Sequence, residues 1–323
     1  MVELLRAPSR KVQSMIMDSQ RWDGFRPRPD DIVIATYPKC GTTWTQRIVD
    51  LLVFQSPAPR TFNMTSPWLD ATFFATVEQD LATLEAQPHR RFIKSHLPLD
   101  ALPIFDSVKY IHVARDGRDA CVSMHNHQLG FRREVFAAQQ QRAMELATTP
   151  AERERAARDV PEHPRDYFLQ WMDDAEAEDG GGPSADLPYC EFEMTYWQER
   201  RRENLLFVHY ADLKADLAGE MRRISTFLEI DTPEPLLHEL AEAAKFETMK
   251  RQGDEMLPNL AFAFDHGAQR FINKGVNGRW KDMLTPEDLA RYDALIERRL
   301  PAPLARWLEH GRLETGDPRG AAD

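Results

Sequence analysis

The sequence predicts one large α/β domain built on a parallel sheet with helices on both faces. Three observations point there. Short apolar runs of strand character recur along the chain, and stretches of helical spacing alternate with them. Near the front, Asp31-Ile32-Val33-Ile34-Ala35 runs into "TYPKCGTTW" (Thr36 to Trp44) and then into the helix-like Thr45-Gln46-Arg47-Ile48-Val49-Asp50-Leu51-Leu52. The chain has 323 residues, of which 42% are hydrophobic and 29% charged, enough for one sizeable core behind a water-facing surface.

The elements follow in order. Residues 1–30 read as an N-terminal extension without the apolar core of a signal peptide. Asp31 to Tyr37 reads as a buried strand, and about Thr42 to Phe54 as the helix after it. "RRFIKSHLP" (Arg90 to Pro98) is a strand stopped by its proline. "VKYIHVARD" (Val108 to Asp116) is another, and the helix after it is capped by Asp116, with Asp119 reaching back from the first turn. Arg132 to Asp159, rich in Gln, Ala and Glu/Arg pairs, reads as a solvated helix, with a mobile lid as the alternative. "EDGGGPSADLP" (Glu178 to Pro188) is a loop, so about 131–190 forms an insertion within a domain spanning 31–310. "NLLFVHYADL" (Asn204 to Leu213) is a further strand, followed by a helix through Phe227. The tail, 311–323, is expected to be disordered.

Composition excludes several roles. A net charge of −11 argues against a nucleic-acid-binding or polybasic membrane surface. The longest apolar runs are too short to span a bilayer. Three cysteines (Cys40, Cys121, Cys190) in unpaired spacing suggest neither a disulfide framework nor a zinc site. The expectation is a soluble protein in a reducing cytoplasm.

The chemistry concentrates in Thr36 to Trp44. A tight loop between strand and helix presents free backbone N–H groups and the positive end of the helix dipole to an anion. Gly41 lets the backbone approach closely, Thr42 and Thr43 add hydroxyls, and Lys39 adds a charge. This is not the Walker A pattern, because lysine precedes Gly41 and Thr36 stands at the early glycine position.

"TYPKCGTTW" resembles the loop of the cytosolic-type sulfotransferases, usually Tyr-Pro-Lys-Ser-Gly-Thr-Thr-Trp, with Cys40 in place of serine. Other family signatures recur in order from about Asp31 to Arg299. "FIKSHLP" (Phe92 to Pro98) resembles the segment with the catalytic histidine, here His96. "YIHVARDGRDACVSMHNH" (Tyr110 to His127) resembles the stretch whose arginine and serine hold a 3′-phosphate, here Arg115 and Ser123. "VHYADLKADL" (Val208 to Leu217) places Tyr210 near an adenine, and "FETMKRQ" (Phe246 to Gln252) sets Phe246 opposite Trp44 across it. "FINKGVNGRWKDMLT" (Phe271 to Thr285) resembles the stretch closing over the 3′-phosphate, with Phe271, Asn273, Lys274 and Gly275.

The resemblance implies a P-loop-like three-layer sandwich. It also implies 3′-phosphoadenosine 5′-phosphosulfate (PAPS) as sulfuryl donor and its desulfated form, PAP, as product. The acceptor is then a small apolar or aromatic molecule with a hydroxyl; His96 is its base, Lys39 and Lys94 stabilise charge, and no metal is required. A small-molecule kinase with a modified loop, or a non-catalytic adenosine-nucleotide sensor, are the alternatives. Two departures stand out. Cys40 reads as a small buried side chain. Asn273 replaces an arginine, a loss that Lys245, Arg270 or Arg279 could offset. His125 and His127 read as structural or surface residues, and aromatics such as Trp68, Phe73, Phe74 and Trp171 as mostly core, some of them lining a pocket. The oligomeric state is open, and the family's dimer segment is not carried over.

Overall fold

A computed structural model describes residues 2–177 and 188–322. Four strands form the central sheet: β2 (Ile32–Thr36), β3 (Phe92–Ser95), β5 (Lys109–Ala114) and β6 (Leu205–His209), in the order β3-β2-β5-β6 and all parallel. A separate pair, β1 (Leu4–Arg6) and β4 (Ile104–Phe105), is antiparallel.

Successive side chains of a strand face opposite sides. Ile32 and Ile34 therefore pack with Ile48, Leu51 and Leu52 of the Thr42–Phe54 helix, while Val33 and Ala35 pack with Trp197, Trp307 and Leu304 on the other face. Both faces are buried, which is why these strands are continuously apolar. Each fully buried aliphatic side chain contributes roughly 1.5–3 kcal/mol. The predicted three layers are present.

The differences from expectation have local causes. β6 ends at His209, not Leu213, because the His209 Nδ1 accepts the N–H of Ala211 and starts the Tyr210–Ala215 helix. The N-terminal segment is no appendage: Met17, Trp22 and Phe25 are buried, and β1 pairs with β4. The expected disorder of 311–323 is corrected for its described part. Arg312–Thr315 is a short helix whose first N–H groups the Asp212 carboxylate accepts, Arg312 pairs with buried Glu220 at 2.6 Å, and Pro318 is buried. Within the insertion the helices are Arg133–Leu146, Pro150–Ala156, Pro164–Glu176 and Tyr189–Trp197. Almost all of the Glu178–Pro188 loop lies outside the described residues. Among the described residues, no helix is long and apolar enough to cross a membrane, and the three cysteines are free and buried.

Candidate active site

Register brings the functional residues together. Ala35 lies beside Ser95, Thr36 beside Val113, and Ala114 beside His209. The residues that follow these positions, the Tyr37–Thr43 loop, His96, Arg115 and Tyr210, therefore emerge at one edge of the sheet. That is the carboxyl end, where parallel sheets bind ligands.

Two residues of the loop take left-handed backbone, Lys39 at φ 69° and Gly41 at φ 115°. A β-carbon on Gly41 would stand 2.9 Å from Cδ2 of Tyr210, so only glycine lets loop and ring approach this closely. Gly41 begins the Thr42–Phe54 helix and supplies no side-chain cap, which leaves the positive helix end open to the cavity. The Thr42 and Thr36 hydroxyls bond to each other at 2.6 Å. Lys39 Nζ stands 4.4 Å from the centroid of the Phe271 ring and 3.4 Å from His127 Nδ1.

His96 Nδ1 lies 2.8 Å from the Thr36 carbonyl oxygen. A carbonyl only accepts, so Nδ1 carries the proton and Nε2 keeps its lone pair. Burial, then the charge of Lys94, hold the imidazole well below its usual pKa; the Thr36 bond opposes them and Lys39 adds to them. The ring is therefore neutral at physiological pH. Asp70 organises this corner. Its Oδ2 accepts the His96 N–H at 3.1 Å and the Trp68 Nε1–H at 2.7 Å, and its Oδ1 accepts the Trp22 Nε1–H at 3.2 Å. Trp68 meets the His96 ring edge-on, centroids 4.9 Å apart, and Lys94 Nζ sits 3.8 Å over the Trp68 ring centre.

Burial lowers Lys39 to about 7, assisted by the charges of Lys94 and Arg115, and lowers Lys94 to about 8, opposed by Asp70. Neither ammonium lies within ion-pair distance of a carboxylate among the described residues. Two half-buried amines placed side by side without a carboxylate partner suit an anion.

At the far end Arg115 is buried over the Tyr210 ring, 4.2 Å from its centroid. Its guanidinium donates to Val276 O (2.9 Å), Asn277 Oδ1 (2.8 Å) and, more weakly, Lys39 O (3.4 Å). Trp44 Nε1–H donates to Ala244 O at 2.8 Å and its ring meets Tyr210 edge-on. Gly275 makes room for Phe246, since a β-carbon there would stand 2.4 Å from that ring.

These groups line one cavity of about 640 Å³. Lys39, Gly41, Thr42, Thr43, Trp44, Lys94, His96, Arg115, Ser123, Tyr210, Phe246, Phe271, Asn273, Lys274 and Gly275 all face it. Its other wall holds Met64, Trp68, Phe73, Phe74, Phe131 and Trp171, the apolar surface typical of a small-molecule pocket.

The Sulfotransferase domain family matches residues 29–302. This chain belongs to the sulfotransferase family. It is 35% identical to a glycolipid sulfotransferase of Mycobacterium tuberculosis, with 93% of this chain and 94% of that protein covered. It is 26% identical to the dog sulfotransferase 1B1, with 85% of each covered. Among solved structures, a retinol dehydratase in complex with retinol and PAP matches with a TM-score of 0.66 at 23% identity, over 88% of this chain and 84% of that one. The mouse sulfotransferase SULT7A1 complexed with PAP matches with a TM-score of 0.64 at 19% identity, over 92% and 94%. The activity is thus that of a sulfotransferase, and the kinase reading is set aside.

Two sequence expectations about the site need correction, while the reading of Cys40 as a small buried side chain holds. Cys40 stays out of the cavity: its side chain is fully buried with Sγ turned toward Pro38 O at 3.9 Å, and its N–H is taken by Tyr37 O. Asp119 does not cap its own helix, since Asp116 already accepts the Arg118 N–H; its carboxylate instead accepts the Gly278 N–H at 2.9 Å and pins the 273–278 loop. His127 is no bystander but lines the cavity beside Lys39, whereas His125 is tied to Pro161 O at 2.8 Å. Sequence reasoning missed Asp70 altogether and left Trp68 in a set of aromatics read as mostly core, some of them lining a pocket. "PWLD" carries no periodic signal, and only its pairing beside Lys94 reveals its role.

Proposed function

We propose that this sulfotransferase moves a sulfuryl group from PAPS to the hydroxyl of an apolar or aromatic small molecule, with His96 as general base. The observation that carries the reading is the 2.8 Å contact of His96 Nδ1 with the Thr36 carbonyl, which leaves Nε2 free to accept a proton inside the cavity. The residues suit an anionic nucleotide. An uncapped helix end, two half-buried lysines and Arg115 concentrate positive charge in a chain of net charge −11.

PAPS supplies an activated sulfuryl group on a phosphate leaving group. As a new oxygen–sulfur bond forms and the sulfur–oxygen bond to phosphate breaks, the acceptor's hydroxyl proton passes to His96 Nε2. Lys39 and Lys94 offset the negative charge that spreads over the sulfuryl and phosphate oxygens. Trp44, Tyr210 and Phe246 offer aromatic surface for an adenine. The apolar wall from Trp68 to Phe73 and Phe74 holds the acceptor body, with the hydroxyl directed to His96. The names of a relative acting on glycolipids and of a neighbour holding retinol favour acceptors with a substantial apolar part. The test is incubation with sulfur-35-labelled PAPS and a panel of phenols, long-chain alcohols and hydroxylated amphiphiles. Labelled product from at least one acceptor is expected. Tight PAP binding with no transfer to any of them would favour the nucleotide sensor instead.

A further inference from the structure

The stretch from Asn273 to Arg279 carries an unusual distribution of charge. Asn273 lines the cavity with a neutral side chain, and Lys250 Nζ donates to its carbonyl at 3.1 Å. Of the three cations that could make up the charge, two are occupied elsewhere. Lys245 pairs with Glu242 at 2.6 Å on the surface. Arg270 donates to Asn126 Oδ1 (3.2 Å) and Asn126 O (3.3 Å) and packs against Gly130, outside the cavity lining.

Arg279 differs from both. It lines the cavity, and among the described residues its guanidinium makes no hydrogen bond or ion pair, while its backbone N–H is held by the Asp119 carboxylate. Its position is fixed from behind, because the preceding Gly278 N–H is held by both oxygens of Asp119, the residue one helical turn beyond Arg115. Arg115 and Asp119 both act on its charge: burial and the Arg115 guanidinium depress it, and Asp119 only partly offsets them. Asp119 is also near Arg115, at 4.0 Å. Arg115 thus stands at the limit of ion-pair distance from a carboxylate that already accepts backbone N–H groups, and the same carboxylate and the Arg115 guanidinium both act on the charge of Arg279. Like charges so arranged are relieved by an anion between them.

We infer that Arg279 is a phosphate ligand of the nucleotide site, taking with Arg115 the phosphate on the 3′ side of the nucleotide and replacing the charge absent at Asn273. The inference rests on the PAPS reading above and adds to it the residue that gives this chain its preference for a 3′-phosphorylated nucleotide. A planar fork beside a second one suits a phosphate dianion better than the amide at 273 does.

Calorimetry with PAP and with ADP, which lacks the 3′-phosphate, tests it on the full-length protein. Arg279→Ala is expected to weaken PAP binding roughly 10–100-fold and leave ADP affinity within about twofold, the size of a lost charge-assisted contact. Asn273→Arg added to Arg279→Ala is expected to recover most of the loss, since it returns a guanidinium to the same cavity. Thermal melting without ligand, unchanged in both variants, excludes misfolding; an altered melt moves the comparison to Arg279→Gln, for which the same selective loss is expected. Lys214→Ala, which removes an exposed cation of the same cavity, serves as the control. An Arg279→Ala protein that binds PAP within twofold of the parent overturns the inference, as does an equal loss for PAP and ADP, or an equal loss from Lys214→Ala. A parent protein that does not prefer PAP over ADP overturns the PAPS reading itself, so the two failures are distinguishable.

Discussion

Binding of PAP should draw protons from solution, and by an amount the site dictates. Lys39 is pulled down to about 7 and Lys94 to about 8 by burial. At pH 8 the free protein therefore carries Lys39 about nine-tenths neutral and Lys94 about half neutral; at pH 7 the fractions are about one half and about one tenth. An anion placed against both amines favours their charged forms and returns both pKa values well above 8. Binding then takes up about 1.4 protons at pH 8 and about 0.6 at pH 7. Calorimetry in buffers of different ionisation enthalpy reads this number directly. Lys39→Ala should cut the uptake at pH 8 to about half a proton, the share left to Lys94. Uptake near zero at both pH values, or greater at pH 7 than at pH 8, would refute the claim that these two amines meet the nucleotide.

Three further outcomes follow from the same geometry. The pH profile of kcat/KM for PAPS, which reports the free enzyme, should lose its alkaline side as Lys39 and Lys94 deprotonate through about 7 to 8, while its acid side stays flat below pH 6.5 because His96 is held neutral. Gly41→Ala places a β-carbon 2.9 Å from Tyr210 on left-handed backbone, a strain of roughly 1–2 kcal/mol, and should lower the denaturation midpoint and weaken PAP binding together. Asp70→Asn sets an amide N–H₂ against N–H donors of Trp22, Trp68 or His96, so a loss of roughly 1–3 kcal/mol in stability is expected, with a fall in kcat larger than any change in PAP affinity.

The fold was legible because β2, β3, β5 and β6 are short apolar runs bounded by polar or turn-forming residues, and because their helices carry apolar residues at helical spacing. The loop was legible because lysine, glycine and two threonines between strand and helix have one economical use. The tail was not. "GDPRGAAD" has the composition of a disordered end, yet Pro318 is buried and Ala321 O accepts from Arg200, a partner more than 100 residues away. Asp70 and Trp68 were illegible for the same reason, since their importance lies in what β3 places beside them. Arg279 stood as one of three equal candidates until burial and pairing separated them. Sequence spacing reports what neighbours along the chain do. The partners of a buried carboxylate or an unpaired guanidinium are chosen by topology.

The central claim is that His96 Nε2 takes the proton of the acceptor hydroxyl, and one pair of measurements on one variant tests it most directly. His96→Ala is to be compared with the parent for PAP affinity by calorimetry and for single-turnover sulfuryl transfer from labelled PAPS to the best acceptor of the panel. PAP affinity within a fewfold of the parent, with transfer slowed by roughly 10²–10⁴-fold, is the predicted result. Transfer within tenfold of the parent at unchanged PAP affinity would contradict it and shift attention to His127, the other imidazole in the cavity, beside Lys39.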